Sequence, residues 1–179
     1  MFVLILFLAA PVFAAAPAPE YRNMGPDIFD VQAGGEAMIE SALIQARDGN
    51  KRVVVFFGAN WCPWCRRLHH AFSSEPIVTE LLRRHFVLVY VDANFRKANK
   101  RNTELLARYG NPLRLGLPVL VVLDSEGRQL ATQETQSLSD PTDLGVAKKI
   151  AAVLTQWVWA GKEAGSESGP KEVDESGSK

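Results

Sequence analysis

The apolar run Val53, Val54, Val55, Phe56 and Phe57 ends at Gly58, and just beyond it stand the only two cysteines of the chain, in Trp61-Cys62-Pro63-Trp64-Cys65. A Cys-x-x-Cys between a strand and a helix reads as a dithiol redox site. With Cys62 at the mouth of a helix and Cys65 one turn further in, the two sulfurs can close a small disulfide ring. The unpaired N–H groups of a helix start favour a thiolate on Cys62 and put its pKa below the free value of about 8.5. Pro63 suits the first helical position, where its missing N–H costs nothing. As a structural staple the pair would be poor, because so short a loop constrains little unfolded-chain entropy. A metal reading, with Cys62, Cys65 and His69 beside His70 or His85, falls short of the four protein ligands a structural zinc takes.

The chain has 179 residues, enough for one domain with trimmings, and 47% of them are hydrophobic, enough for a core. Lys+Arg and Asp+Glu number 20 each. That balance argues against nucleic acid or an anionic membrane as the main partner, since both favour a basic excess. Residues 1–14 are apolar, lack side-chain charge and end in small residues, which reads as an export signal cleaved after Ala14. The rival reading is an uncleaved anchor, but the run is short of the roughly 20 residues a span needs. Residues 15–35 form a Pro- and Gly-punctuated lead-in, residues 36–160 the domain, and residues 161–179 a Gly-, Ser-, Glu- and Lys-rich tail expected to be disordered.

Apolar spacing predicts a helix over 36–47, with Met38, Ile39, Ala42, Leu43 and Ala46 on one face. A buried strand follows at 52–58, then a helix opened by the cysteine motif and reaching Phe72. Ser74 is expected to cap a further helix that turns Ile77, Val78, Leu81 and Leu82 inward. Residues 86–91 form a second wholly apolar strand, closed by Asp92; these two strands are expected at the sheet centre. A helix over 99–109, a strand over 117–123 and an antiparallel partner over 128–133 come next. Asp140-Pro141-Thr142-Asp143 starts a last helix with Leu144, Ala147, Ile150, Ala151, Leu154, Trp157 and Val158 as its buried stripe. The order implies an α/β fold: a central mixed β-sheet with helices on both faces.

With these motifs in place, the chain resembles the thioredoxin superfamily over about residues 33–160. The resemblance rests on the strand leading into Ala59-Asn60-Trp61-Cys62, on Asp92 closing a buried strand, on Tyr109-Gly110, and on Leu117-Pro118-Val119 before an apolar strand and the Glu126-Gly127 turn. Within the superfamily, Ser74-Glu75-Pro76 and Leu115-Gly116-Leu117-Pro118 are most similar to the C-terminal periplasmic domain of DsbD-type thiol reductases and its small secreted relatives. The resemblance implies a thioredoxin fold, a cis Pro118 beside the disulfide, and a Leu117 backbone that pairs with an extended substrate segment. It also implies Trp61 as a substrate platform, with Trp64 exposed and shaping access. The buried Asp that thioredoxins carry in the strand before the motif falls at Phe56, and the Lys near it at Leu88. Cys65 would then hand its proton elsewhere, to water or the Glu75 carboxylate.

The expectation is a secreted or periplasmic thiol–disulfide oxidoreductase, with Cys62 as nucleophile and Cys65 as resolving thiol. It would act as a monomer on protein disulfides or dithiols, more as reductant than oxidant, fed by a membrane thiol donor of the DsbD type, with no organic cofactor and no metal. The alternatives are a non-catalytic interaction module and a periplasmic metal carrier. Arg66, Arg67 and the run Arg96, Lys97, Lys100 and Arg101 read as solvated helix surface. Trp157 and Trp159 read as core and rim. A protonated His69 would assist Cys62 only weakly.

Overall fold

The computed structural model describes residues 24–159. The readings of residues 1–14 as an export signal and 161–179 as a tail concern stretches outside the described residues, as does the side chain of Trp159. Elements follow in the order α1 (Gly35–Asp48), β1 (Arg52–Gly58), α2 (Pro63–Ser74), α3 (Pro76–His85), β2 (Phe86–Asp92), α4 (Thr103–Arg108), β3 (Val119–Leu123), β4 (Gln129–Glu134) and α5 (Asp143–Trp159). The strands make one sheet in the order β2-β1-β3-β4. β1 runs parallel to β2 and antiparallel to β3, and β3 is antiparallel to β4.

Both faces of this sheet are covered, and the side-chain alternation of β1 and β3 explains how. Val54, Phe56, Leu120 and Val122 point into a core closed by α2, α3 and α5, through Leu68, Phe72, Val78, Ile150, Leu154 and Trp157. Val53, Val55, Phe57, Val119 and Val121 point the other way, against Ile39, Ala42 and Ala46 of α1 and Leu105 and Leu106 of α4. A strand buried on both faces has no polar side to display, hence the unbroken apolar runs. The mixed sheet between two helical layers is the architecture expected from the sequence.

Several details differ from the expectation. β2 lies at the sheet edge, not its centre. Its apolar run reflects helices over both faces, which a strand can have without a neighbour on each side. The predicted 99–109 helix is cut to Thr103–Arg108, preceded by a single 3-10 turn at Lys97–Asn99. Asn102 stops it with a left-handed backbone, φ 51°. Its side chain accepts the Gly35 N–H (3.1 Å) and donates to the Asp92 carbonyl (2.8 Å), so long-range bonds hold the break. Glu75, not Ser74, precedes α3, and Ile77 is exposed while Val78 and Leu82 are buried. In α5 the buried face begins at Val146 and Ala147, which leaves Leu144 in the first turn exposed. Thr142 caps that helix, its Oγ1 accepting the Gly145 N–H at 3.0 Å.

The lead-in carries a core residue that its irregular composition hides. Phe29 is fully buried, its ring 5.8 Å from Phe56 and 6.0 Å from Tyr90. Asn60 fastens the segment: its Oδ1 accepts the Ile28 and Phe29 N–H groups, and its Nδ2 donates to the Phe29 carbonyl. Gly58 is required by the same contact, because a Cβ there would stand 2.3 Å from the Phe29 ring. Phe29→Ala is expected to cost about 3–5 kcal/mol in urea unfolding. Gly58→Ala should cost about 1–3 kcal/mol in the native background and clearly less once Phe29 is alanine. Equal costs in both backgrounds would mean that the two residues do not share this space.

Candidate active site

α2 begins where β1, an interior strand, has delivered the chain to its C-terminal end, and Cys62 is the N-cap of α2, with extended backbone at φ −91° and ψ 113°. The first amides of a helix have no carbonyl one turn back to receive them. Here the Cys65 N–H donates to the Cys62 sulfur at 3.2 Å. Pro63 occupies the first turn and the Arg66 N–H closes on the Cys62 carbonyl at 3.2 Å. Both cysteines are free thiols; Cys65 is wholly buried and Cys62 keeps 5% of its surface.

Their acidities are driven apart. The hydrogen bond from the Cys65 side chain, helped by the backbone N–H groups of Cys65 and Trp64, outweighs burial and brings Cys62 down to about 7. Burial pushes Cys65 strongly up, reinforced by its hydrogen bond to Cys62 and by the Cys62 charge. One thiol thus ionises near neutral pH and the other holds its proton.

The cysteine turn faces the loop before β3, where the Leu117–Pro118 peptide is cis. The Cys62 sulfur lies 3.9 Å from the Leu117 carbonyl oxygen. Pro118 is buried and Leu117 half-buried. The two flanking tryptophans are both half-buried, so Trp64 is less open than expected. Trp61 donates its indole N–H to Asn94 Oδ1 at 3.1 Å, lies beneath the Arg96 guanidinium at 4.2 Å and meets the Phe95 ring edge-on. Asn94 is itself placed by Asp92, whose Oδ1 accepts the Asn94 N–H. Trp64 donates its indole N–H to Thr135 Oγ1 at 3.1 Å, with the Arg67 guanidinium 5.6 Å from its ring.

Arg96, Lys97 and Lys100 are exposed as expected, whereas Arg66, Arg67 and Arg101 are half-buried. Arg66 binds the Asn60 and Pro26 carbonyls at 3.0 and 2.8 Å, tying the lead-in to α2. Arg67 pairs with Asp143 at 3.0 Å. Arg96 and Arg101 sit on the loop segments flanking the 3-10 turn, beside Trp61 and Asp92, not on an α-helix face.

Phe56 fills the strand position where thioredoxins carry an acid, ringed by Phe29, Phe72 and Tyr90. Glu75 cannot serve Cys65 in its place: it ends α2, ten residues on and therefore about 15 Å along the helix axis. His69 packs on Tyr90 at 5.1 Å, and burial, then Arg66 and His70, lower its pKa. It is a neutral imidazole near pH 7 and not the cation considered from the sequence. Among the described residues no group of three or more His, Cys, Asp or Glu side chains is placed to hold a metal ion.

Asn60, Asn94 and Thr135 bond to partners more than 15 residues away around the cysteine turn, contacts that no local sequence pattern reports. Iodoacetamide should modify Cys62 alone in the reduced protein, with a rate midpoint near pH 7, while Cys65 stays unreactive to about pH 9. The lowered pKa of Cys62 stabilises the folded reduced protein, in full above the unfolded thiol's pKa of about 8.5. That contribution is lost as pH falls through 7, so reduced protein should gain stability between pH 7 and 8.5 and Cys62→Ser should not. A midpoint near 8.5 would contradict this electrostatic account.

A family model for a thioredoxin-like domain matches residues 39–139. Disulfide bond reductase DsbH of Chlamydia pneumoniae is 32% identical over 101 residues, 50% of this chain and 56% of that protein. The chain thus spans just over half the length of this curated relative. Among solved structures, a disulphide isomerase from Xylella fastidiosa Temecula1 has TM-score 0.61 and 29% identity, over 70% of this chain and 95% of that one. A thioredoxin from Thermus thermophilus, at TM-score 0.51 and 24% identity over 70% and 88% of the two chains, shares the fold. The sheet order, the cysteine pair at the start of α2 and a match over more than half of the chain agree: the chain belongs to the thioredoxin-like domain family of the thioredoxin superfamily.

Proposed function

We propose that the protein is a thiol–disulfide oxidoreductase that reduces disulfides in protein substrates. The observation that carries this reading is the unequal pair at the helix start, with Cys62 at about 7 and the Cys65 thiol far above its ordinary range. The Cys62 thiolate attacks one sulfur of a substrate disulfide; that S–S bond breaks, one substrate thiolate leaves and takes up a proton, and a mixed disulfide forms. Cys62 then no longer carries charge. Two of the three influences that hold the Cys65 proton, the Cys62 charge and the hydrogen bond to it, weaken together. Cys65 loses its proton to water and attacks Cys62, expelling the second substrate thiolate. Two electrons pass to the substrate and the Cys62–Cys65 disulfide remains.

The direction follows from thiolate stability. A strongly stabilised thiolate favours the reduced protein and makes an oxidant, as in DsbA with a pKa of about 3.5, whereas thioredoxin's is about 7. Cys62 falls with the second. The curated relative described as a disulfide bond reductase supports the same direction. Trp61, Trp64, Leu117 and Pro118 supply the surface against which a substrate segment lies, and a membrane thiol donor of the DsbD type would return the pair to its dithiol state. The apolar residues 1–14 fit export to the periplasm, and among the described residues no helix is long and apolar enough to cross a membrane.

Equilibration in glutathione buffers should give a reduction potential of about −250 mV or lower; a value near −120 mV would make the protein an oxidant. Cys65→Ala should accumulate the mixed disulfide with substrate, and Cys62→Ala should abolish turnover. Turnover indifferent to both substitutions would leave an interaction module.

A further inference from the structure

A buried threonine, distant in sequence from both cysteines, joins the two halves of the site. β3 and β4 pair with Val119 opposite Glu134, so the next step of the ladder sets Pro118 opposite Thr135. Proline has no N–H to continue the ladder. The Thr135 hydroxyl takes over, donating to the Pro118 carbonyl at 2.6 Å and accepting the Trp64 indole N–H at 3.1 Å. Thr135 is 2% exposed. The turn after it is rigid: Glu134 accepts the Gln136 and Ser137 N–H groups, and the Leu138 N–H returns to the Thr135 carbonyl. The indole is held on its other side by Arg67, itself paired with Asp143 at the start of α5.

We propose that Thr135 is a positioning residue for disulfide exchange, fixing the distance between the cysteine turn and the Leu117–Pro118 backbone along which a substrate segment lies. The inference rests on the reading of the site as a disulfide-exchange centre. A single hydroxyl serves both halves, as acceptor for the residue between the cysteines and as donor to the proline loop. Loss of the hydroxyl takes the partner from the buried Pro118 carbonyl bond and from the half-buried Trp64 indole N–H together, and so loosens the turn against the loop. Trp64 also contributes a backbone N–H to the Cys62 sulfur, so a loosened Trp64 weakens the nucleophile as well as the groove.

The test uses the full chain carrying Thr135→Val, Thr135→Ser or Trp64→Phe, with insulin as disulfide substrate and iodoacetamide as the probe of Cys62. Thr135→Val should raise KM about three- to tenfold, the range of one lost hydrogen bond, with a smaller change in kcat, and should move the Cys62 alkylation midpoint upward. Thr135→Ser should restore both. Trp64→Phe should reproduce the Thr135→Val effects, and the double variant should be no worse than the poorer single. Folded Thr135→Val protein with unchanged KM and midpoint would overturn the proposal, as would single effects that multiply. Should Thr135→Val fail to fold, Trp64→Phe decides: an unchanged midpoint and KM overturn it. If the wild-type protein reduces no disulfide, the functional reading fails by itself, and the alkylation midpoints of the variants still decide the role of Thr135.

Discussion

An amide in the first turn of a helix has no partner inside the helix, and in α2 the sulfur of Cys62 supplies one. The Cys65 N–H reaches it at 3.2 Å, and the Cys65 side chain adds a second donor. The same turn that stabilises charge on Cys62 buries Cys65 completely. Capping, the lowered pKa of Cys62 and the burial of Cys65 are therefore one local arrangement. Everything else in the fold acts to hold that turn at the end of the sheet, facing the Leu117–Pro118 loop.

Three ties do the holding, and each comes from a different part of the chain. Asn60 and Arg66 bind the lead-in at Ile28, Phe29 and Pro26, which lays an aromatic ring against the strand that feeds the cysteines. Asp92 and Asn94 fix Trp61 from the end of β2. Thr135 fixes Trp64 from the end of β4. The two tryptophans have similar chemistry and equivalent bonds, each with its indole N–H satisfied and an arginine near its ring. An indole buried in this way gains area and pays no penalty for an unpaired N–H.

Much of the architecture could be read from periodicity. The runs through β1 and β3, the three-to-four spacing of α1 and the Asp-Pro-Thr-Asp start of α5 each report a local preference that the fold also satisfies. The readings that missed concern relations between elements. A continuous apolar strand says that both faces are covered, and β2 meets that condition at an edge. The helix expected from residue 99 had the right composition, but Asn102 trades helical continuity for two bonds to Gly35 and Asp92. Ile77 and Leu144 have the right spacing but lie where no neighbouring element reaches. Arg66 looked like solvated charge because its partners, the Asn60 and Pro26 carbonyls, are uncharged and one of them lies in the lead-in.

By itself the sequence determined the chemistry: two cysteines at redox spacing, a proline suited to open a helix after them, and an apolar strand to deliver them. Those are properties of neighbours along the chain, set by backbone geometry within one turn. Only the tertiary structure decided how far the two thiols diverge in acidity, because burial and the hydrogen bonds around Cys62 depend on packing from both helical layers. It alone decided that Phe29 belongs to the core, that Glu75 lies out of reach of Cys65, and that Thr135 stands opposite Pro118. Each of these is a distance between residues separated in sequence, and no local pattern encodes such a distance.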